Sequence, residues 1–305
     1  MKVGDTVNNH LLERQIGSPS AYGEIFQVRN ILDNSISALK VAKDTGKQSD
    51  LDRFSEENRI MHRLQPSTHI IAPHCNVTTY PPEFHYYLME LADMDLMNYI
   101  HQNQNLDFAQ LIALFKEICQ GLKHAHSHNI AHRDLHVGNI LLKNANSKLT
   151  DFGKSKDFSS KESFTSGKPC WGWLVMPPEV HFDIWQNPSL TNLIVSDVYA
   201  LGIILFSLFE TIPIVQATNL TSDISNFLNP YSEEEKLSHR QKKALYVEWL
   251  KTQWAKNNGY LSVQLNGNDQ TVIINTLLHK LTNLDYAKRF QSVTLIEENM
   301  QQLGL

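Results

Sequence analysis

The chain has 305 residues, of which 42% are hydrophobic and 19% charged, and its formal net charge is −5. This length is enough to bury a core in one large domain or in two lobes. The small acidic excess gives no reason to expect nucleic acid or an acidic membrane surface as a partner. Cys75, Cys119 and Cys170 form no C-x-x-C pair, so we expect neither a zinc site nor a disulfide framework.

Two segments bear on where the protein is located. Residues 1–15 contain no apolar stretch typical of a secretory signal. The apolar run 198–209 is too short to cross a bilayer and is flanked by Asp197 and Glu210, which favours a buried core helix over a membrane span. We therefore expect a cytoplasmic protein, acting in its own cell or in a cell into which it is delivered.

The hydrophobic pattern changes near residue 90. Before it, alternating or continuous apolar segments predict one helix over 49–64 and strands over 11–17, 24–31, 35–43 and 85–91. After it, the pattern predicts an amphipathic helix over 107–130, two short strands over 139–142 and 147–152, and further helices. The outline is a small β-rich lobe followed by a larger α-rich lobe.

Two motifs carry the chemistry. The segment 132–142, HRDLHVGNILL, places Asp134 and Asn139 five residues apart. A carboxylate in such a loop can accept a hydroxyl proton, and an asparagine shortly after it can bind Mg²⁺. In the segment 150–153, TDFG, Asp151 would hold the metal ion that bridges the phosphates of a nucleotide. Together the motifs indicate phosphoryl transfer, and a polar loop after a helix is the alternative.

These motifs resemble those of the eukaryotic-type protein kinases, over about residues 10 to 300. The resemblance implies one α+β domain with the bilobal protein-kinase-like fold. A small antiparallel β-sheet N-lobe with one αC helix would occupy residues 1–90, and a larger, mainly α-helical C-lobe would occupy 91–305. It also implies ATP and Mg²⁺ as cofactors and a protein as substrate, with serine or threonine as the commoner acceptor.

The resemblance assigns catalytic roles outside the two motifs as well. Lys40, in the strand SALKV, would contact the α- and β-phosphates, and Glu57 would hold it by an ion pair. Arg133 would precede the catalytic Asp134, with His136 two residues after it. Asn139 and Asp151 would bind the metal.

The resemblance also assigns a nucleotide cleft. Met89 would be the gatekeeper, the backbone of 90–92 would bond the adenine edge, and apolar residues would cover both faces of the ring. The expected nucleotide-binding residues are Ile16, Gly17, Tyr22, Gly23, Ile25, Ala38, Lys40, Met89, Glu90, Leu91, Ala92 and Leu141. Ordinary core packing is the alternative for each apolar member.

Two departures from the family pattern stand out. The glycine-rich loop is IGSPSAYGEIF at 16–26, and it keeps Gly17 and Gly23. It has one inserted residue, and Pro19-Ser20 lie near the position of the family's middle glycine. We expect nucleotide binding to persist, with weaker affinity or slower phosphate positioning. His136 replaces the usual lysine of serine/threonine kinases, and we expect it to donate to the γ-phosphate instead.

The sequence DLHxGN also occurs in small-molecule kinases of the aminoglycoside/choline type, which are the rival enzymes, and a pseudokinase scaffold is the non-enzyme alternative. Three features favour a protein kinase. Arg133 follows His132, and a segment resembling an activation segment spans 151–179. Asp197 would bond the catalytic-loop backbone, and Arg289 would pair with Glu179.

Regulation is predicted at two places. Arg133 could be neutralised by a phosphorylated activation loop, with Ser159, Ser160, Ser163, Thr165 and Ser166 as candidate acceptors, unless this serine-rich loop is merely flexible. The chain has an insert around 213–270 that a compact kinase does not need, and the sequence of 233–257 predicts a long charged helix there. That helix either packs on the C-lobe or forms a docking site for a partner.

Overall fold

A computed structural model of the chain describes residues 1–17, 23–43, 45–80, 84–160, 177–181, 188–209, 263, 265–283 and 285–305. Its N-terminal part contains an antiparallel sheet of six strands, which lie in the order β1-β2-β3-β4-β6-β5. In chain order the strands are β1 (Thr6–Val7), β2 (His10–Ile16), β3 (Gly23–Asn30), β4 (Ile36–Ala42), β5 (Thr78–Tyr80) and β6 (Phe84–Met89).

Strand β4 lies at the centre of the sheet and is buried from residue 37 to residue 41. Its pairing places Lys40 opposite Ile25 of β3 and Ala38 opposite Met89 of β6. A Cβ atom at Gly23 would lie 2.5 Å from the carbonyl oxygen of Val41, so the close pairing at this end of β3 requires glycine. The sheet thus fixes the positions of several predicted cleft residues.

Helix α1 (Gln48–Arg63) packs beside the sheet and lies within one residue of the predicted bounds. Phe54, Ile60 and Met61 form its buried apolar face, as the periodicity predicts. Glu57 lies on the same buried face. A buried carboxylate among apolar residues requires a partner, which here is Lys40 of β4.

The chain after β6 is mainly helical, with two small sheets of order β10-β9-β7 and β11-β8. Its described elements are β7 (Met94–Asp95), α2 (Leu96–Gln102), α3 (Phe108–Ser127), β8 (Ile130–Ala131), β9 (Ile140–Lys143), β10 (Asn146–Leu149), β11 (Lys156–Asp157), α4 (Pro178–His181), α5 (Leu190–Phe209), α6 (Asn268–Leu281) and α7 (Val293–Gln302).

Two predicted elements end three residues earlier in the structure than the sequence indicated. Helix α3 stops at Ser127 rather than residue 130, because Asn129 adopts the left-handed conformation with φ of 59°. Strand β10 stops at Leu149 rather than 152, because Asp151 is also left-handed, with φ of 59°. Periodicity does not report these single-residue reversals.

Helix α5 corrects one part of the membrane argument. It begins at Leu190, so its 20 residues are long enough to cross a bilayer, and length no longer excludes a span. Within the described residues it is the only helix of this kind, and 67% of its apolar window is buried inside the protein. Such burial is typical of the core helix of a globular domain, which is the interpretation that the sequence favoured.

The described apolar side chains form two clusters. The larger includes Ala38 and Met89 from the sheet together with Leu142 and Leu201 from the C-terminal part. The smaller includes Leu12, Phe26 and Leu39 of the sheet. One continuous core therefore joins the sheet to the helical part. This antiparallel sheet followed by a mainly helical part confirms the predicted α+β fold class.

Candidate active site

The side chain of Lys40 points from β4 toward helix α1, where it meets Glu57. Its Nζ lies 2.6 Å from Oε1 and 2.7 Å from Oε2 of Glu57. The hydroxyl of Tyr87 donates a third hydrogen bond to Glu57, at 3.0 Å. Burial favours neutral Lys40, but the charges of Asp151 and Glu57 outweigh it and raise the pKa of Lys40. The site therefore holds a fixed cation.

Asp151 lies on the other side of Lys40, with its Oδ1 3.7 Å from Nζ. A 3-10 turn (Phe152–Lys154) follows it, and Phe152 is fully buried against the ring of His132. A Cβ at Gly153 would approach Oδ1 of Asp151 to 3.3 Å, so glycine leaves room for this carboxylate. Although burial opposes ionisation, Lys40 holds the pKa of Asp151 below its usual value. Asp151 is thus an anion at neutral pH.

Asp197 of helix α5 binds the backbone of the loop that carries Asp134. The backbone N–H groups of His132 and Arg133 donate to the two oxygens of Asp197, each at 2.8 Å. Arg133 has φ of 66°, a left-handed conformation that arginine seldom adopts without such support. Asp197 also accepts from Nε2 of His126, at 2.9 Å. These bonds fix the backbone immediately before Asp134.

Asp134 has two differently placed carboxylate oxygens. Nζ of Lys154 lies 2.8 Å from Oδ2. Oδ1 is buried and has no hydrogen-bond partner among the residues that the structure describes. A buried carboxylate oxygen is costly without a hydrogen bond, so Oδ1 can accept one from a bound molecule.

Asn139 is oriented by the same loop. Its Nδ2 donates to the main-chain carbonyl of Asp134 at 2.8 Å, so its side-chain oxygen is the atom left for a cation. Asn139 and Asp151 offer the hard oxygen ligands that Mg²⁺ prefers. The described residues contain no group of three or more His, Cys, Asp or Glu side chains that could hold a metal ion. This donor set therefore suits Mg²⁺ that also binds the phosphates of a nucleotide.

Several apolar residues that were predicted to contact the nucleotide pack against the larger core cluster. Ala38 and Met89 are buried, and partly exposed apolar residues pack against the same core: Ile16, Ile25, Leu91, Ala92 and Leu141. Glu90 directly follows β6, and its N–H donates to the carbonyl of Ala72 at 2.9 Å. Its carboxylate accepts from Lys148 at 2.8 Å.

Residues 11–301 of the chain match the family described as the protein kinase domain. The chain belongs to the protein kinase family. It is 30% identical over 231 residues to the serine/threonine-protein kinase PTK2/STK2 of Saccharomyces cerevisiae, an alignment that covers 63% of this chain and 28% of that protein.

Other relatives have the same general name. The kinase domain is 30% identical over 177 residues to the serine/threonine-protein kinase shk2 of Schizosaccharomyces pombe, which covers 55% of the chain and 28% of the relative. It is 29% identical over 214 residues to the mouse serine/threonine-protein kinase Nek3, which covers 66% of the chain and 38% of the relative. The alignments therefore span only about a quarter to two fifths of the curated relatives' length.

The structure of this kinase domain brings Lys40, Glu57 and Asp151 together, as predicted. The predicted ion pair between Glu179 and Arg289 is also present. Glu179 and Arg289 are buried, with Nη2 2.9 Å from Oε2 and a second contact between Nη1 and Oε1. Gly17 has φ of 70°, which favours glycine.

Other predictions lie outside the described residues: Tyr22 of the glycine-rich loop, Ser163, Thr165 and Ser166 of the activation segment, and the helix 233–257. Of the described candidate acceptors, Ser159 donates from Oγ to Asp157 at 2.6 Å.

The ring of His136 forms a hydrogen bond within its own loop. Its Nδ1 accepts the backbone N–H of Gly138 at 3.1 Å, within the same loop. Burial lowers the pKa of His136 despite the nearby charge of Asp134, so the ring is neutral at pH 7.

Sequence reasoning missed two charged contacts. One is the Lys154–Asp134 pair, whose only sequence signal is a lysine directly after TDFG. The other is Asp157 on β11, which is buried and accepts from Arg59 of α1 at 2.7 Å, with Arg63 as a further partner. No sequence pattern indicated this contact, because its partners are almost a hundred residues apart.

Proposed function

We propose that the chain is an ATP-dependent protein kinase that transfers the γ-phosphoryl group of Mg-ATP to a serine or threonine hydroxyl of a protein. The observation that carries the proposal is the state of Asp134. One of its oxygens is held by Lys154, and the other is buried without a partner among the described residues. The predicted phosphate- and metal-binding residues Lys40, Asn139 and Asp151 are all present in this chain, which argues against a pseudokinase scaffold.

Each residue of the site has a defined task in this reaction. Lys40, held by Glu57, would bind the phosphates, while Asn139 and Asp151 would hold Mg²⁺, which neutralises phosphate charge when bound. Oδ1 of Asp134 would orient the acceptor hydroxyl and take its proton. The acceptor oxygen then bonds to the γ-phosphorus, the bond from that phosphorus to the β–γ bridging oxygen breaks, and ADP leaves.

The nucleotide cleft follows from the same arrangement. Because the N–H of Glu90 is used by Ala72, we assign the adenine edge to the carbonyl of Glu90 and to the backbone of Leu91 and Ala92. Ile16, Ile25 and Ala38 would cover the ring from the sheet, and Leu141 would support it from β9. Gly17, Tyr22 and Gly23 belong to the loop over the phosphates.

Arg133 supports regulation by phosphorylation. Burial and the charge of Arg53 lower the pKa of Arg133, and burial and Arg133 in turn lower the pKa of Lys156. Cations placed this close together would be stabilised by a phosphorylated residue of segment 151–179. A cytoplasmic location, lobes divided near residue 90 and a partner docking on 233–257 remain parts of this proposal.

The test is phosphate transfer by the purified chain. Wild type is incubated with radiolabelled Mg-ATP and either generic protein substrates or a panel of amino alcohols, and labelled proteins are hydrolysed to identify the phosphorylated residue. We expect phosphoserine or phosphothreonine, abolished by Asp134→Asn, with Asp93→Asn as a surface control. Labelled amino alcohols without labelled protein would instead assign the chain to the small-molecule kinases.

A further inference from the structure

The catalytic carboxylate of this kinase domain has a cationic partner that its own loop does not provide. Position 136, two residues after Asp134, is a histidine whose Nδ1 is occupied by the N–H of Gly138. Burial disfavours the charged form of that ring. His136 therefore offers no fixed positive charge to the reacting phosphate.

Lys154 supplies a positive charge from a different segment. Its Nζ lies 2.8 Å from Oδ2 of Asp134, and the side chains are 17% and 6% exposed. A partly buried pair at this distance is held more firmly than a surface ion pair.

Local geometry explains how Lys154 reaches this position. Lys154 ends the 3-10 turn that follows Asp151. A 3-10 helix has three residues per turn, so side chains three positions apart lie on the same side. Lys154 is thereby presented on the side of Asp151, and its charge contributes to lowering the pKa of that carboxylate. The lysine thus adjoins both the proton acceptor and the metal ligand.

We propose that Lys154 is the residue that binds the γ-phosphoryl group and holds Asp134 in place, a role that the family otherwise gives to a lysine at position 136. This proposal rests on the proposed function. The charge has moved from the catalytic loop to the turn after Asp151, while its contact with the carboxylate is retained. Oδ2 of Asp134 stays paired with Lys154, and Oδ1 remains directed to the acceptor hydroxyl.

The test transfers the lysine back to the loop. Three variants are compared with wild type: Lys154→Met, the double variant Lys154→Met/His136→Lys, and the control Lys143→Met. Lys143 makes a 3.4 Å contact with Asp93 near the surface, so the control removes a lysine from a looser ion pair. Affinities for Mg-AMP-PNP and Mg-ADP are measured by calorimetry, and kcat and KM are measured for a protein substrate.

We expect Lys154→Met to lower kcat by about a hundredfold and to weaken Mg-AMP-PNP about tenfold, while Mg-ADP changes by less than about twofold. The double variant should regain the preference for the triphosphate and most of the lost kcat. Lys143→Met should leave both unchanged.

Equal weakening of both nucleotides, unchanged affinities in Lys154→Met, or no recovery in the double variant would each overturn the role of Lys154. Because nucleotide affinities need no protein substrate, they test Lys154 even if protein phosphorylation is not found. An absence of phosphorylated protein would count against the proposed function, whereas the affinity ratio alone decides the inference about Lys154.

Discussion

Lys40 and Glu57 are buried ions whose charges compensate each other only while both are present. The lysine donates to both carboxylate oxygens, and Tyr87 adds one further hydrogen bond. Taking such ions out of water is costly, and an ion left without its partner costs more than the pair. The pair therefore holds the Lys40 ammonium in one position, and the loss of either ion should destabilise the fold.

We expect Lys40→Met to reduce stability as well as activity. Among the described residues it leaves Glu57 buried with Tyr87 as its hydrogen-bond donor, and the free energy of unfolding should fall by about 3–5 kcal/mol. The double variant Lys40→Met/Glu57→Gln should recover much of this stability but none of the activity. Urea unfolding and phosphate transfer measure the two effects, and a double variant no more stable than Lys40→Met would contradict the argument.

The sequence predicted the motif residues of this site and three contacts between them: Lys40 with Glu57, Asp197 with the backbone at His132 and Arg133, and Glu179 with Arg289. It did not predict the contacts of Lys154 and Asp157. Lys40, Glu57, Asp134 and Asp151 were identified because their neighbours in the sequence are characteristic. Lys154 was missed, since its role depends on a left-handed turn at Asp151 that no periodicity reports. The orientation of His136 toward Gly138 likewise depends on loop geometry.

At the level of elements, helix α5 holds the loop before Asp134 through the buried carboxylate of Asp197. Asp197 accepts the N–H groups of His132 and Arg133, and it thereby supports the left-handed conformation of Arg133. This geometry places the loop at the end of α3 against the middle of α5. The position of Asp134 therefore depends on a residue of α5 that lies more than sixty positions away in the sequence.

We expect Asp197→Asn to lower kcat about a hundredfold with little change in KM for ATP. One acceptor oxygen becomes an NH₂ group that faces an N–H donor, so the loop shifts, whereas Lys40 and the adenine edge are not touched. Steady-state kinetics measure this separation, with Asp93→Asn as the control for a more exposed aspartate. A kcat close to that of wild type would mean that α5 does not position the loop.

Strand β11 and helix α1 are joined by a second buried carboxylate. Burial alone would raise the pKa of Asp157, but hydrogen bonds from Arg63, Ser159 and Arg59 outweigh it and hold the pKa well below its usual value. The contact ties the helix that carries Glu57 to the segment that follows Asp151. The ionised form of Asp157 thus stabilises the arrangement of both.

This depression of the pKa predicts a pH dependence with a definite sign. A carboxyl group whose pKa is lower in the folded state contributes stability above its unfolded value, about 3.9, and loses it as pH falls toward the folded value. At pH 7 we expect Asp157→Asn to lower the free energy of unfolding by about 1.5–3 kcal/mol relative to wild type. The difference should shrink below about pH 4. Urea unfolding across this range measures it, and a difference independent of pH would contradict the charged interaction.

For the whole molecule, the sequence predicted the order of elements better than their ends. The switch from strands to helices near residue 90 follows from the change in hydrophobic period, and α1 agrees within one residue. The ends of α3 and β10 were wrong because single left-handed residues, Asn129 and Asp151, interrupt otherwise regular patterns. The length of α5 was underestimated because its first turns are less apolar than the run 198–209.

The two parts of the kinase domain meet at the site where the nucleotide would bind. Lys40 comes from the sheet, while Asn139 and Asp151 come from the segments after α3. Lys40 and Asp151 are joined by a 3.7 Å contact. A ligand that binds both parts must stabilise the folded state, because it binds the unfolded chain far more weakly.

Magnesium should be required for most of this stabilisation. Mg-ADP at about one hundred times its Kd should raise the free energy of unfolding by about 2.7 kcal/mol and Tm by several degrees. Chelation of Mg²⁺ should remove much of the increase, because Asn139 and Asp151 then face phosphate oxygens without a bridging cation. Thermal unfolding with and without chelator measures this effect. In Asp151→Asn, the increase in Tm on addition of Mg-ADP should be small with and without chelator. If chelation left the increase in Tm of wild type unchanged, metal binding by Asn139 and Asp151 would be excluded.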